Sequence, residues 1–437
     1  MRADYLTRFG PEFKGGFKKL LNEGAVFDHA TVNFVPTETG PGHAAISTGR
    51  PPAVNGIIGN FWWDRVKGKG VSASMFSRGR SGPDKLLGPT LSDAVKKKNP
   101  ASRALAMSMK QRAAVLLGGR TPDFALWFNA DKGVFVSSGL YSPLPDWVNE
   151  FKRQHFQSPA ESDRFLSELA ERAALRMSLG KGGAPDLLMV SFSGTDAVGH
   201  AHGPESAEMR SQILEIDKIL GAFIQYLSED IGPGNFDLAL TADHGVAPVP
   251  GSWEGRKIGA RHIRENDFTA NLNGALRNFP SLAGENWISG IYLPNIYLNR
   301  GLAARKKIGW KKFLAKARLA LKLCDGVAEV YDPAAAQPKD EFWPQYSAGY
   351  HKDRGGDLMI RLKEGVVVEH SGTKTTHGSP YYYDNDVPLI FWGADFKTGR
   401  YEGAAHIIDV APTLAKILNV DLPPGSGSRI LTEALKP

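Results

Sequence analysis

Three short motifs of this sequence combine a histidine with a carboxylate or with a flanking glycine, and histidine and carboxylate side chains bind divalent metal ions. The motifs are Asp196-Ala-Val-Gly-His200, Asp243-His244 and Thr376-His377-Gly378. Carboxylate oxygens and imidazole nitrogens together suit zinc or a similar ion, and Asp196 and His200 are spaced by one helical turn, so both can reach one ion. A single buried histidine is more often a hydrogen-bonded core residue than a ligand. Three such motifs in one chain reverse that preference and predict a metal site.

A candidate nucleophile lies near the beginning of the chain, in the segment VPTETGPGHAAISTGR at residues 35–50. This segment joins a strand-like entry to a glycine-flanked turn and then to a helix, and it places the hydroxyl groups of Thr37 and Thr39 at the start of that helix. Backbone N–H groups at a helix N-terminus favour an anion. Taken alone, two threonines at this position would be interpreted as helix caps. Beside the metal-binding motifs, they indicate an anion-binding turn with a hydroxyl that can react.

Two of the metal-binding motifs directly follow apolar segments that we interpret as β-strands. DLLMVSF at residues 186–192 runs into the Asp196 motif, and FDLALT at residues 236–241 runs into Asp243-His244. Both segments are predicted to be buried parallel strands, and residues 205–227 between them have the apolar spacing of a helix. This alternation predicts an α/β fold with a doubly wound, mostly parallel sheet, whose ligands bind beyond the carboxyl ends of the strands.

The end of the chain is predicted to return to the same sheet. VPLIFWG at residues 387–393 is interpreted as a strand, and HIIDVAPTLAKILNV at residues 406–420 as a turn followed by a helix. We therefore predict a catalytic domain formed by residues 1–248 and 377–437, and an inserted cap subdomain formed by residues 249–376. Within the insert, residues 303–323 are predicted to form a basic amphipathic helix on the surface, to which we assign no function.

The composition limits the class of protein. Of 437 residues, 42% are hydrophobic and 23% are charged, which excludes a disordered, collagen-like or coiled-coil chain. The formal charge of +7 is a weak indication of anionic ligands, and the single Cys324 excludes an internal disulfide framework and a cysteine-based metal site. No apolar run has the length of a bilayer span, and MRADYLTRF lacks the apolar core of a secretory signal. We expect no stable membrane insertion and no nucleic acid partner.

Seven blocks in this order resemble the alkaline phosphatase superfamily, and within it the PafA-like, phosphate-irrepressible alkaline phosphatases. The blocks are MRADYL, PTETGPGH with GIIGN, SMKQR, GTDAVGH, TADHG, THGSPYYYDNDVPL and DVAPTLA. The resemblance implies the alkaline-phosphatase-like fold and hydrolysis of small phosphate monoesters. It also implies two divalent metal ions, with zinc as the expected identity, and a periplasmic or secreted location.

The resemblance further implies a role for each matching residue. Thr39 would be the nucleophile that is transiently phosphorylated, and Thr37 would be structural. Thr39, Asp243 and His244 would bind one metal ion, and Asp196, His200 and His377 would bind the other. Asn60, Lys110 and Arg112 would contact the non-bridging phosphoryl oxygens. Because a monoester dianion has three terminal oxygens and a diester has fewer, the Lys110 and Arg112 pair favours monoesters. His43, His202 and Asp409 are interpreted as structural.

One part of the family pattern has no counterpart in this sequence. The family has a buried strand ending in an Asp-Gln pair ahead of the Met-Arg-x-Asp-Tyr-Leu block, and that Asp binds the metal ion shared with the nucleophile. Here the chain starts at Met1, and Asp4 matches a different, non-ligating acidic position. We therefore expect the first strand and one metal ligand to be missing, through a misassigned start site or a truncation.

Two alternatives to a phosphomonoesterase remain open at this point. The first is a nucleotide pyrophosphatase/phosphodiesterase, which shares the threonine and metal motifs but should lack the Lys-x-Arg pair. The second is an inactive, truncated remnant that only binds phosphate. The sequence contains no signal for particular phosphate monoesters or for an oligomeric state.

Overall fold

The computed structural model describes residues 1–75, 81–278, 285–335, 339–369 and 372–437. Its strands and helices are numbered in chain order. The described strands form three four-stranded sheets and three two-stranded ones. The first sheet has the order β7 (Val134–Val136), β6 (Phe124–Asn129), β5 (Ala104–Ser108), β8 (Leu187–Ser191). The second has the order β17 (Gly399–Tyr401), β1 (Ala25–Phe27), β16 (Leu389–Gly393), β9 (Asp237–Thr241).

The remaining strands form the third sheet and the pairs. The third sheet has the order β11 (Ile288–Tyr292), β12 (Asn295–Leu298), β14 (Leu358–Leu362), β13 (Val327–Tyr331). The pairs are β2 (Ala30–Thr31) with β18 (Ala405–His406), β3 (Phe61–Asp64) with β4 (Lys69–Ser72), and β10 (Arg261–Arg264) with β15 (Val366–Glu369).

Eleven of the described α-helices belong to the predicted catalytic domain. They are α1 (Asp4–Arg8), α2 (Gly16–Glu23), α3 (Thr39–Thr48), α4 (Pro52–Asn55), α5 (Leu91–Lys98), α6 (Gln111–Gly118), α7 (Pro159–Arg176), α8 (Gly194–His202), α9 (Ala207–Asp230), α15 (Tyr382–Asn385) and α16 (Val410–Ile417). Five more lie between residues 249 and 376. They are α10 (Trp253–Lys257), α11 (Glu265–Asn278), α12 (Arg300–Arg305), α13 (Trp310–Lys322) and α14 (Trp343–Gly349).

Helices cover both faces of the first sheet, as a doubly wound fold requires. Successive side chains of β5 point to opposite faces. Leu105 and Met107 pack in one core with Phe165 of α7. Ala106 faces α6 instead, where a Cβ atom on Gly118 would lie 3.2 Å from the Ala106 Cβ. Small residues on this face let α6 approach the sheet closely, and the α/β fold predicted from the strand–helix alternation is confirmed.

The sheets are mixed rather than mostly parallel. β5 pairs in parallel with β6 and β8, but β16 is antiparallel to both β1 and β9. The segment VPLIFWG was correctly predicted to be a strand, because an apolar run bounded by turns is typical of one. Its direction could not be predicted, because the apolar pattern of a strand is the same in either direction.

The two strands that precede the metal-binding motifs are less buried than predicted. Every residue of β8 and of β9 is only half-buried. The reason is their position: among the described strands, β8 pairs only with β5 and β9 only with β16, so each lies at the edge of its sheet. An apolar sequence predicts a strand, but it does not predict whether both of the strand's edges are paired.

The predicted insert contains a hydrophobic core of its own. Residues of α11, α12 and α13 and of the third sheet form this core, with Phe268, Phe313 and Val330 among its fully buried members. The predicted basic amphipathic helix corresponds mainly to α13, whose Phe313, Leu314 and Leu321 are buried while three of its four lysines are exposed. The domain boundaries themselves stay a prediction. Among the described residues, no helix combines the length and the apolar character that crossing a bilayer requires.

Candidate active site

The three predicted metal-binding motifs meet at one point. Asp196 and His200 lie on α8, directly after β8, whereas His244 follows β9 and His377 lies in the loop before α15. The Nε2 atoms of His200, His377 and His244 lie 3.5, 3.6 and 3.9 Å from Oδ1 of Asp196. The rings of His244 and His377 are stacked with their centroids 3.6 Å apart. Residues separated by up to 181 positions in the chain therefore share one carboxylate oxygen.

Backbone carbonyl groups determine which nitrogen of each imidazole carries the proton. Nδ1 of His200 lies 2.9 Å from the Thr375 oxygen, and Nδ1 of His377 lies 2.7 Å from the Thr37 oxygen. Nδ1 of His244 is likewise 2.9 Å from the oxygen of the next residue. Because a carbonyl oxygen can only accept, each Nδ1 must donate, and each neutral ring then presents the lone pair of Nε2 to Asp196.

This arrangement fits a divalent cation. Three nitrogen lone pairs that face a carboxylate oxygen repel it unless a positive charge lies between them. The Nε2 atom of His244 is buried and has no hydrogen-bond partner in the part of the chain that the structure describes. One ligand atom each from Asp196, His244 and His377 lies within 4.8 Å of the others. Nitrogen and oxygen donors of this kind are the ligands of zinc and similar ions, and the carbonyl groups behind Nδ1 are the usual outer partners of metal-binding histidines.

The pKa directions agree with the protonation states that a metal site needs. Burial lowers the pKa of His244, and it lowers the pKa of His377 well below the ordinary value, so both rings are neutral at neutral pH. Burial would raise the pKa of Asp196, but its interactions with the Lys110 ammonium group and with the neighbouring imidazoles together outweigh burial and lower that pKa. Neutral imidazole and ionised carboxylate are the forms that bind metal ions.

Asp243 contacts both this cluster and α3, the helix that begins with the predicted nucleophile. Its Oδ2 is 3.4 Å from Nε2 of His244 and 3.2 Å from Nδ1 of His43. His43 in turn donates from Nδ1 to the Thr39 carbonyl at 2.8 Å, and its Nε2 is 2.8 Å from the Ser191 hydroxyl. Both ring nitrogens of His43 are thus engaged, which agrees with the prediction that it orders the loop. A Cβ atom on Gly42 would lie 2.6 Å from the Asp243 Cβ, so only glycine permits this approach of α3.

Thr39 is the first residue of α3 and is buried. The turn that carries it is held by Asn60, whose Oδ1 accepts from the Gly40 N–H at 2.8 Å. The Asn60 N–H donates to Oε2 of Glu38 at 2.6 Å. No hydrogen bond engages the Thr39 hydroxyl among the residues that the structure describes. Asn60 therefore fixes the nucleophile turn with its carbonyl oxygen, and its amide NH₂ group is not used in that bond.

Lys110 and Arg112 have different surroundings. Lys110 precedes α6, and its ammonium group forms an ion pair with Oδ2 of Asp196. The guanidinium carbon of Arg112 lies 5.4 Å from the ring centroid of Phe61, and no described carboxylate pairs with it. The structure thus brings Lys110 to the metal-binding cluster, while Arg112 keeps a charge that no ion pair among the described residues neutralises.

Two buried carboxylates that the sequence analysis did not select support the site. Asp163 on α7 accepts the N–H groups of Ser193 and Gly194, both at 3.0 Å, and so holds the start of α8, which carries Asp196. Asp384 accepts from the N–H and hydroxyl of Ser379 at 2.9 and 2.6 Å, and so holds the loop that carries His377. Asp384 lies within the block THGSPYYYDNDVPL, but no local signal marks Asp163, because its partners are 30 residues away.

Asp163 gives a prediction on pH dependence. Burial raises the pKa of its carboxyl group from 3.8 to about 7, although its hydrogen bonds oppose the shift. The folded protein then binds this proton more tightly than the unfolded chain, so its stability falls as the pH rises from about 4 to about 7. Asp163→Asn removes this titration. As the pH rises over that range, we therefore expect the free energy of unfolding of the variant to increase by up to about 4 kcal/mol relative to that of the wild type.

Urea denaturation of both proteins at several pH values in that range measures this difference. A difference that is constant with pH would mean that Asp163 does not titrate on folding as described. Because Asn keeps one acceptor for the N–H groups of Ser193 and Gly194, the variant should fold.

Comparison with known proteins adds independent information. The family model described as type I phosphodiesterase/nucleotide pyrophosphatase matches residues 1–382. Over its whole length the chain is 30% identical to alkaline phosphatase PhoV of Synechococcus elongatus and 27% identical to alkaline phosphatase PafA of Elizabethkingia meningoseptica, covering 91% and 92% of them. The crystal structure of wild-type alkaline phosphatase PafA superimposes with a TM-score of 0.91 at 26% identity, with 100% of this chain and 97% of that chain covered. Murine ectonucleotide pyrophosphatase/phosphodiesterase 5 has a similar fold, with a TM-score of 0.64 at 17% identity over 100% of this chain and 97% of that one.

Proposed function

The chain belongs to the type I phosphodiesterase/nucleotide pyrophosphatase family, and from this premise we propose that it is a metal-dependent phosphate monoester hydrolase that acts through phosphorylated Thr39. The observation that carries the proposal is the convergence of Asp196, His200, His244 and His377 beside the turn that holds Thr39. Relatives named alkaline phosphatase match the chain along its whole length and support phosphomonoesters as the substrate class.

Substrate binding would use three cationic or amide donors. The side-chain carbonyl oxygen of Asn60 accepts a hydrogen bond from the Gly40 N–H, which leaves the NH₂ group of Asn60 to donate to a phosphoryl oxygen. Arg112 carries a planar guanidinium group that can donate two parallel hydrogen bonds to a phosphate. Lys110 adds a positive charge close to Asp196. Together these groups suit the terminal oxygens of a phosphate monoester dianion.

The reaction would occur in two displacements. The Thr39 oxygen attacks phosphorus and the bond to the leaving alcohol breaks, which leaves phosphothreonine; water then cleaves the Thr39–phosphorus bond and releases phosphate. Thr39 is the first residue of a ten-residue helix, where the backbone dipole stabilises the negative charge of the phosphorylated form. His43 and Asn60 keep the Thr39 backbone in place through both steps.

The ligands would divide as the family resemblance implies, with Asp243, His244 and Thr39 at one ion and Asp196, His200 and His377 at the other. Two bound divalent ions supply Lewis acidity that makes a hydroxyl group more acidic and neutralises charge on the leaving oxygen. Zinc is proposed from the nitrogen and oxygen donor set, and metal analysis of the purified protein tests both the identity and the number of ions.

The proposed substrate class is tested by comparing an aryl phosphate with its methyl diester. We expect the wild type to prefer the monoester, and Arg112→Ala to lower kcat/KM for the monoester about a hundredfold, because a transition-state donor is lost. The kcat/KM for the diester should fall much less, since a diester presents fewer terminal oxygens. Arg172→Ala, which removes a half-buried arginine of α7 that pairs with Glu150, is the control and should change neither rate.

The second candidate is a phosphodiesterase, which the description of the matched family includes. A wild-type preference for the diester that Arg112→Ala leaves unchanged would favour it over the phosphomonoesterase. An absence of turnover on both esters, with fewer than two metal ions per chain, would instead favour a protein that only binds phosphate.

A periplasmic or secreted location is also proposed, because the family resemblance implies it. Fractionation of cells that express the protein, with phosphatase activity measured in each fraction, tests this location.

A further inference from the structure

Arg112 and Phe61 form a contact that the proposed chemistry does not yet use. The guanidinium carbon of Arg112 lies 5.4 Å from the ring centroid of Phe61, which is within the range of a cation–π interaction. Phe61 is 49% exposed, whereas the next residue, Trp62, is 4% exposed. An exposed phenyl ring directly beside the site is unfavourable as a packing element, so its contact with Arg112 needs another explanation.

The chemical nature of the side chain that contacts Arg112 determines whether its guanidinium group can still bind a phosphate. A carboxylate would neutralise the guanidinium charge and occupy its N–H donors. An aromatic face attracts the cation through its quadrupole but leaves the charge and the in-plane donors available. Lys110 shows the contrast, because its ammonium group is paired with Asp196. Burial also lowers the pKa of Arg112, although the charges of Glu38 and Asp196 raise it, so this cation is partly withdrawn from water without a direct counter-ion among the described residues.

The backbone of Phe61 is tied to the nucleophile turn. Phe61 follows Asn60, whose N–H and side chain bond to Glu38 and Gly40 on either side of Thr39. Phe61 is also the first residue of β3 and pairs with Ser72 of β4. The phenyl ring is therefore attached to the same rigid turn as Thr39, and it can set the position of Arg112 relative to that residue.

We propose that Phe61 is a positioning residue that holds Arg112 toward the phosphoryl group without neutralising it, and that it thereby contributes to the preference for phosphate monoesters. This inference rests on the proposed function. It assigns no contact between Phe61 and the reacting atoms. The aromatic face of Phe61, and not its apolar bulk, is the property that positions Arg112.

The test compares Phe61→Leu and Phe61→Tyr with the wild-type enzyme. Leucine keeps apolar bulk without a π face, and we expect it to lower kcat/KM for an aryl phosphate monoester about tenfold while the methyl diester changes less than about threefold. The inhibition constant of inorganic phosphate should rise by a similar factor. Tyrosine keeps the π face and should restore both values to within about twofold of the wild type.

Two controls separate a positioning role from a structural one. Trp253→Leu removes another exposed aromatic ring that contacts a cation, Lys257 at 3.4 Å, and it should leave the monoester-to-diester ratio unchanged. In an Arg112→Ala background, Phe61→Leu should have no further effect on that ratio, because the two residues act as one unit. Thermal unfolding of each variant verifies that it is folded.

The outcomes distinguish this inference from the proposed function. No turnover of either ester by the wild type would overturn the proposed function. The inference alone would be overturned if the wild type hydrolyses the monoester but Phe61→Leu leaves the monoester-to-diester ratio of kcat/KM unchanged. An equal loss of both activities in Phe61→Leu would have the same meaning. A Phe61→Leu effect that persists in the Arg112→Ala background would likewise overturn it.

Discussion

Thr39→Ala is expected to reduce hydrolysis of an aryl phosphate by about 10⁴-fold or more, because the proposed covalent intermediate can no longer form. The loss should be in kcat. The fold should survive, since no hydrogen bond to the Thr39 hydroxyl is present among the described residues, and thermal unfolding will verify this. Thr39→Ser keeps a hydroxyl group at the same place, so it should retain turnover within about a hundredfold of the wild type.

The phosphorylated intermediate can be observed directly. After an acid quench of the wild type during turnover, peptide mass spectrometry should locate one phosphate on Thr39, and Thr39→Ala should contain none. Thr48→Ala is the matched control, because Thr48 lies on the same helix and its hydroxyl bonds to the backbone carbonyls of Ala44 and Arg50. Phosphate on a different residue, or turnover of Thr39→Ala above about a tenth of the wild type, would contradict the assignment of the nucleophile.

The second large effect is expected from loss of the metal-binding carboxylate. Asp196→Asn should lower the bound metal by about one ion per chain and turnover by about 10³-fold or more, since a neutral amide is a far weaker ligand than an ionised carboxylate. Chelation of the wild type should remove activity in the same way, and adding zinc back should restore it. Elemental analysis and turnover on one sample measure both quantities.

A control at another carboxylate, which is more buried than Asp196, makes the Asp196→Asn result specific. Asp217 is buried and accepts the N–H groups of Lys14, Gly15 and Phe17, so Asp217→Asn tests the cost of changing a buried carboxylate outside the site. It should keep its metal ions and its turnover. If Asp196→Asn kept all its metal and still lost activity, Asp196 would be a charge partner of Lys110 and not a ligand.

Several features of the site could be predicted from local sequence. Asp196 and His200 are one helical turn apart, and the structure places both on α8 with Nε2 of His200 3.5 Å from Oδ1 of Asp196. The apolar runs that precede the motifs did form strands, and the Thr39 turn did begin a helix. Such features depend on the periodicity and spacing of neighbouring residues, which a sequence displays directly.

Other features required the folded chain. His244 was assigned with Asp243 to one ion, yet its Nε2 also lies within the compact group formed by Asp196 and His377. The support of α8 by Asp163, the carbonyl partners of His200 and His377, and the contact of Arg112 with Phe61 join residues that are 30 to 340 positions apart. No motif encodes such pairs.

The chain sequence by itself determined the residue types that can bind a metal ion or attack phosphorus, and the local elements that carry them, because helix and strand periodicity is a property of short segments. Only the tertiary structure decided strand direction, the exposure of β8 and β9, and which oxygen each histidine faces. These properties depend on packing between distant segments, where burial and hydrogen-bond geometry are set by the whole fold.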